Sequence, residues 1–228
     1  MIRCVFFDLD DTLYAYEAAN TAATEVLVSA LSTRCGVPAD AARTAYRQGR
    51  EDVKARLPDC AARHNRLLYI QRALERLGRP PAIDALSLYN IFWDYMLEHI
   101  ALRDGVLETL AFCRRRGIRV GICTDLTAHI QHRKLDRLRL ADWIDCLVTS
   151  EEAGVEKPSP GIFQLCLEKS GVPAEETLFV GDSYEKDYLG ARMAGIKPLL
   201  LVPEPDRPIP AEVDAIRSIN EVKDWIKG

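Results

Sequence analysis

The chain has 228 residues, 48% of them hydrophobic and 28% charged, an ordinary globular balance that excludes a disordered or collagen-like polymer. Thirty lysines and arginines stand against 34 acids, for a net charge of −4, so neither a nucleic-acid polymer nor an anionic membrane is an expected partner. A chain of this length buries roughly 70% of the surface its unfolded form exposes, which suits one large domain or a core with a smaller inserted one.

The N-terminus, MIRCVFFDLDD, holds only three apolar residues in a row, Val5-Phe6-Phe7, before acids interrupt it. That is too short for a signal peptide, and no run anywhere approaches the ~18 apolar residues of a membrane span. Seven cysteines stand at 4, 35, 60, 113, 123, 146 and 166, with no Cys-x-x-Cys spacing, so neither a zinc ribbon nor a redox pair is supported. Cys123 and Cys146 lie inside apolar runs, where cysteine behaves as a small core residue. Reduced thiols fit a reducing compartment, and the expectation is a soluble cytoplasmic protein.

In chain order, the first apolar run, 5–7, ends at Asp8. Residues 15–100 then contain no strand-like run. They read as four helical stretches, about 15–34, 38–56, 62–77 and 82–98, punctuated by Gly36-Val37-Pro38, Leu57-Pro58-Asp59 and Gly78-Arg79-Pro80-Pro81. This is an α-helical insert of bundle type, a cap over 15–100. After it, helices and short apolar runs alternate. A helix over 106–116 closes at Gly117, and the run 120–123 ends at Thr124. A helix over 128–138 leads to the run 146–148, ending at Thr149. A helix with Ser159 as N-cap starts near Pro160 and closes at Gly171. The run 178–180 ends at Gly181-Asp182, and 199–202 ends at Pro203. A stiff proline-rich surface loop, a last short strand and a helix over 220–227 complete the chain. Short β-branched runs without alternation are buried on both faces. The expected fold is therefore α/β: a doubly wound, mostly parallel sheet formed by residues 1–14 and 101–228, interrupted by the helical cap.

In such a sheet, ligands bind beyond the carboxyl ends of the strands. Asp8, Asp10, Thr124 and Asp182 stand at those ends. Lys157 lies in the loop VEKPSP, and Asp187 follows Asp182 by five. Carboxylates gathered on one rim repel one another unless a cation neutralises them, and a hard ion such as Mg²⁺ takes one or two carboxylates together with substrate phosphate and water. A lysine and a hydroxyl beside that ion suit a phosphoryl oxygen. Ionised Asp8 and Asp182 with a phosphate monoester carry −4, and Mg²⁺ with Lys157 returns +3. A further ionised Asp10 would worsen that balance, so a protonated Asp10 that donates to the leaving group is the better assignment.

The segments Asp8-Leu9-Asp10-Asp11-Thr12-Leu13, Thr124, Lys157-Pro158 and Gly181-Asp182-Ser183-Tyr184-Glu185-Lys186-Asp187 resemble the four ordered motifs of the haloacid dehalogenase superfamily of phosphohydrolases, with the helical cap between the first two. The resemblance implies an Asp8 nucleophile that forms an aspartyl-phosphate. Asp10 would be the general acid and then base, with its carbonyl on the metal. Thr124 and Lys157 would bind the phosphoryl group, and Asp182 would be a direct Mg²⁺ ligand. Asp187 would lie in the metal's inner or outer circle, and Thr12 would support the loop. Many relatives carry Asn where this chain has Asp125, a phosphate-binding position whose backbone amide is expected to matter. The implied function is a Mg²⁺-dependent phosphatase of a small phosphorylated metabolite such as a sugar phosphate or nucleotide, acting as monomer or homodimer. A 2-haloacid dehalogenase is the rival, opposed by Asp10. A phosphomutase and a non-catalytic binding module are further alternatives, the last opposed by the complete motif set.

Plainer readings compete. Asp8 and Asp10 suit a turn, Asp182 a helix N-cap, and Lys157-Pro158 a solvated loop; their joint order argues against chance. His129 and His132 share a helical spacing but have no third ligand nearby, and Gln131-His132-Arg133-Lys134 reads as an exposed face. Arg114-Arg115-Arg116 reads as a solvated helix end. Cys123 has no activating histidine beside it in sequence. Phe92, Trp93, Tyr95 and Met96 read as packing between helices, and Tyr14, Tyr16 and Glu17 as substrate contacts or a hinge.

Overall fold

The structure, a computed structural model, describes residues 1–227. The chain divides into two compact units, Met1–Ala15 with Ala101–Gly228, and Tyr16–Ile100.

The first unit is built on six strands: β1 (Cys4–Phe7), β2 (Arg119–Thr124), β3 (Cys146–Thr149), β4 (Thr177–Gly181), β5 (Lys197–Leu201) and β6 (Ala215–Ile216). Their order is β3-β2-β1-β4-β5-β6, and every neighbouring pair is parallel. β1 is central and all four of its residues are buried, which is why its sequence shows no polar alternation. Phe6 stands opposite Gly121 on one side and Phe179 on the other. A Cβ at Gly121 would come within 2.2 Å of the Phe6 ring, so that strand position has room only for glycine.

The side chains of β1 alternate between faces. Cys4 and Phe6 join Cys123, Val148, Ile162, Phe163, Cys166 and Phe179 in one core layer. The connecting helices are α5 (Val106–Arg115), α6 (Ala128–Arg137), the short α7 (Ser150–Ala153), α8 (Pro160–Ser170), the short α9 (Gly190–Met193) and α10 (Val222–Lys227), and α8 packs on β2 and β3. The chain winds from β1 outward to β3, then returns to the centre at β4 and winds the other way. The reversal lies between β1 and β4, the place where such sheets hold ligands.

The second unit contains α1 (Tyr16–Cys35), α2 (Ala39–Arg56), α3 (Arg66–Arg76) and α4 (Pro81–His99), with a 3₁₀ turn at Ala61–His64. α2 packs against α3, and α4 against α1 and α3. Gly49 permits the α2–α3 approach, because a Cβ there would stand 2.6 Å from the Tyr69 carbonyl. Phe92, Trp93 and Met96 are buried, as the packing pattern requires. Among the described residues, no helix is long and apolar enough to cross a membrane.

Candidate active site

Asp8 follows β1 directly, and Asp182 follows β4. The two strands pair in register, Phe7 opposite Val180, and the Asp8 amide donates to the Val180 carbonyl at 2.9 Å. The switch point of the sheet therefore places two carboxylates that are 174 positions apart in sequence side by side. The Thr12 hydroxyl spans them, 3.3 Å from Asp8 Oδ2 and 3.2 Å from Asp182 Oδ1. Asp182 is not a helix cap. Ser183 fills that place, accepting from the Lys186 amide ahead of a π-helical turn over Tyr184–Leu189. That turn brings Asp187 back beneath Gly181, whose missing Cβ leaves the space the carboxylate occupies. One Asp187 oxygen accepts from the Ser183 amide at 3.0 Å.

Lys157 completes the group. Its buried Nζ donates to Asp8 Oδ1 at 2.6 Å and to Asp187 Oδ1 at 2.7 Å. Asp8, Asp182 and Asp187 each present an oxygen within 4.8 Å of the other two. Three buried or half-buried acids thus face one ammonium. Burial pushes the Asp8 carboxyl well above the usual carboxylate range, and Asp187 and Asp182 add to it against the pull of Lys157. Burial, then Asp187, pushes Asp182 up to about 6. Burial alone would lower the Lys157 ammonium, but Asp187 and Asp8 together hold it well above its ordinary value. All these directions express an excess of negative charge. An all-oxygen donor set with that excess fits a hard divalent cation.

Asp10 lies apart from this trio. Its carboxylate receives Lys134 Nζ on both oxygens, at 2.6 and 2.7 Å, and the Tyr14 hydroxyl at 2.5 Å. Asp10 was expected to approach the metal through its carbonyl, and its side chain is absent from the group of carboxylates able to hold an ion. Tyr14, read as a substrate contact or hinge, is fully buried. Thr124, at the end of β2, accepts from Gln131 Nε2 at 2.7 Å, and the same amide nitrogen donates to the Asp125 carbonyl at 2.6 Å. The Asp125 carboxylate accepts from the Lys157 amide at 3.1 Å and from Lys186 Nζ at 2.8 Å. The extra acid at the position often held by Asn is therefore matched by a lysine from the fourth motif.

The exposed face read at Gln131-His132-Arg133-Lys134 is corrected. Gln131 and Lys134 are both 0% exposed. They share a stripe with the buried Ile130, Leu135 and Leu138. The spacing 130, 131, 134, 135, 138 is the buried face of a helix, so the misleading feature was polarity and the available signal was position. His129 and His132 are exposed and belong to no group of three potential metal ligands. Cys123 is fully buried, and burial holds its thiol well above the ordinary value, which removes it as a nucleophile. Arg114, Arg115 and Arg116 are exposed at the end of α5, as read.

Residues 2–195 match the family model of the haloacid dehalogenase-like hydrolases. Over 206 residues the chain is 39% identical to the ribulose-1,5-bisphosphate 5-phosphatase of Halopiger xanaduensis, covering 89% of this chain and 86% of that one. It is 33% identical over 202 residues to the glyceraldehyde 3-phosphate phosphatase of Methanopyrus kandleri, covering 86% and 82%. A HAD phosphatase from Thermococcus onnurineus shares the fold, with a TM-score of 0.77 at 24% identity over 100% of this chain and 99% of that one. A 2-haloacid dehalogenase from Pseudomonas syringae shares it equally, at 0.79 and 23%, with the same coverage. The fold thus serves both chemistries, and the sequence relatives stand with the phosphatases. The chain belongs to the haloacid dehalogenase-like hydrolase family, as a phosphohydrolase.

Proposed function

We propose that the protein is a Mg²⁺-dependent phosphatase that hydrolyses the phosphomonoester of a small metabolite, a sugar phosphate, through an aspartyl-phosphate on Asp8. The observation that carries the reading is the three-carboxylate group around one buried ammonium at the sheet's switch point. The two sequence relatives named above act, by their names, on phosphorylated sugars, and this supports the substrate class.

Asp8, Asp182 and Asp187, with the Asp10 carbonyl, would hold the Mg²⁺, which supplies positive charge to the transferring phosphoryl oxygens. The chain's own groups do the rest. Lys157 keeps Asp8 oriented and offsets its charge as phosphate approaches. A carboxylate oxygen of Asp8 bonds to phosphorus as the ester P–O bond breaks. Asp10, in its protonated form, would give that proton to the departing oxygen, help worth roughly 10²–10⁴-fold, and the Lys134 ammonium beside both of its oxygens would steady the carboxylate left behind. The Asp10 carboxylate then takes a proton from the water that attacks phosphorus, the Asp8–phosphorus bond breaks, and phosphate leaves. Thr124, held by Gln131, offers its hydroxyl to a phosphoryl oxygen. Lys186 neutralises Asp125, so its carboxylate does not oppose the anion.

Asp10 also favours the phosphatase over the haloacid dehalogenase, whose halide displacement needs no acid there. The test is phosphate release from p-nitrophenyl phosphate and from a panel of sugar phosphates, with Mg²⁺ and with EDTA. Release that disappears with EDTA and returns with Mg²⁺ is expected. Halide release from a 2-haloacid, indifferent to EDTA, would replace this reading with the dehalogenase.

A further inference from the structure

The turn that delivers Asp187 carries a second charged side chain, and it faces a different partner. The Lys186 amide donates to the Ser183 hydroxyl at 3.3 Å, which fixes its main chain at the start of that turn. Asp187 accepts from Lys157 Nζ. The Lys186 ammonium instead reaches the loop after β2, where it meets Asp125 Oδ2 at 2.8 Å. The same ammonium lies 3.8 Å from Oε2 of the buried Glu156, the residue before Lys157. One side chain from beyond β4 thus joins acids from beyond β2 and beyond β3.

Every oxygen of Asp125 accepts a hydrogen bond. Oδ1 takes the Lys157 amide at 3.1 Å, Oδ2 takes Lys186, and the carbonyl takes Gln131 Nε2 at 2.6 Å. The next residue, Leu126, has a φ of +96°, and its amide donates to the Ser150 hydroxyl at 3.0 Å. A non-glycine residue with positive φ persists only where its surroundings hold it. The Asp125 amide is the group these contacts leave over: among the described residues it donates to no acceptor. A pre-aimed amide at the carboxyl end of a strand suits an oxyanion.

The Asp125 carboxylate works against that use, since it puts a negative charge on the loop whose amide would meet a dianion. An asparagine there could accept the Lys157 amide without carrying a charge, and Lys186 would then have nothing to offset. Fully exposed ion pairs are worth little. Here the Asp125 side chain is only 18% exposed, and its other oxygen is already committed to the main chain of the Lys157 loop.

We propose that Lys186 is a positioning residue for phosphoryl binding: paired with Asp125, it holds the loop after β2 so that the Asp125 amide meets the phosphoryl oxygens without opposition from the Asp125 charge. Its service to a phosphoryl transfer rests on the phosphatase reading above; its service to anion binding does not.

The experiment is a double-mutant cycle on the full chain, Lys186→Met, Asp125→Asn and the two together, with Lys186→Arg beside them. Circular-dichroism melting first establishes that each variant folds. With saturating Mg²⁺, kcat and KM are measured for p-nitrophenyl phosphate, and the dissociation constant of inorganic phosphate is measured by calorimetry. Lys186→Met should raise KM and the phosphate dissociation constant about tenfold or more, the scale on which a group acting behind a functional one is felt, with kcat changed less than about threefold. Lys186→Arg should recover most of that loss. In the Asp125→Asn background, the same Lys186→Met change should cost less than about threefold. Equal losses in the two backgrounds would mean that Lys186 acts without Asp125 and overturn the inference, as would a loss confined to kcat or no loss at all. If Asp125→Asn does not fold, the comparison of Lys186→Met with Lys186→Arg decides, and equal losses in those two overturn it. If the wild type turns over no phosphomonoester, the phosphatase reading fails by itself, and the phosphate dissociation constants alone decide the role of Lys186.

Discussion

The two units carry opposite charge problems. At the rim of the parallel sheet, Asp8, Asp182 and Asp187 outnumber Lys157, and burial raises the first two carboxyl groups. In the helical unit the buried guanidinium of Arg66, the first residue of α3, stands among neutral rings and hydroxyls. Both arrangements cost folding free energy, because buried charges without partners are unfavourable. A third cluster in the first unit calibrates them. There the fully buried Lys134 rests its ammonium on both oxygens of a partly exposed Asp10. Matched buried charges position side chains, whereas the excess of acids at the rim fits a cation that would balance it.

The largest effects should come from the unmatched acids. Asp8→Asn should lower phosphate release by at least about 10⁴-fold, because it removes the nucleophile itself. The same substitution removes a carboxylate that the fold disfavours in its charged form, so the metal-free variant should melt higher than the metal-free wild type at pH 7. A lower melting temperature would mean that the acids are balanced without a cation. Asp10→Asn should slow both half-reactions by roughly 10²–10⁴-fold, read as the burst and steady-state rates of p-nitrophenol release, while Mg²⁺ still raises its melting temperature.

The matched pair should give a smaller loss with a distinctive pattern. Lys134→Met should lower kcat by roughly 10–100-fold, the usual scale for a group acting through a functional one, with KM little changed. If Lys134 acts through Asp10, the double variant with Asp10→Asn should be no slower than Asp10→Asn alone. Multiplicative losses in that cycle would show instead a general structural role for Lys134.

The smallest effect is in stability against pH. Asp182 titrates near 6 in the fold against 3.8 when free, so its protonated form stabilises the fold. That contribution is fully present below about 3.8 and is lost as pH rises through about 6. Asp8 is shifted the same way by burial. The metal-free protein should therefore lose on the order of 2 kcal/mol between pH 4.5 and 7.5, measured by urea unfolding in EDTA, and saturating Mg²⁺ should abolish most of the slope. A rise in metal-free stability over that range would contradict the shared negative excess.

The sequence made the parallel sheet legible because strands buried on both faces are short unbroken apolar runs, and the runs 5–7, 120–123 and 178–180 end on or beside a residue able to do chemistry. Asp8, Thr124 and Asp182 stand out by that position together with the order of their motifs. The supporting layer was not. Gln131 and Lys134 looked solvated because they are polar, although they occupy apolar stripe positions of α6 and are wholly buried. Lys186 lay inside a quoted motif, but only the fold brings it to Asp125, 61 positions earlier. Arg66 carried no local signal, since its ring neighbours Phe92 and Trp93 come from another helix. The π-helical turn that delivers Asp187 is equally a tertiary product, shaped by the space left at Gly181. Local pattern reaches residues whose role follows from the end of a strand. It misses residues whose role is to hold another side chain across the fold.

The central claim is that Asp8 carries the phosphoryl group. Rapid acid quench of the Mg²⁺-loaded enzyme during turnover of a phosphomonoester, followed by borohydride reduction and peptide mapping, tests it most directly. The account predicts a modified residue at Asp8 alone, absent when EDTA precedes substrate. Trapping at any other side chain, or full turnover with Asp8 never modified, would contradict it.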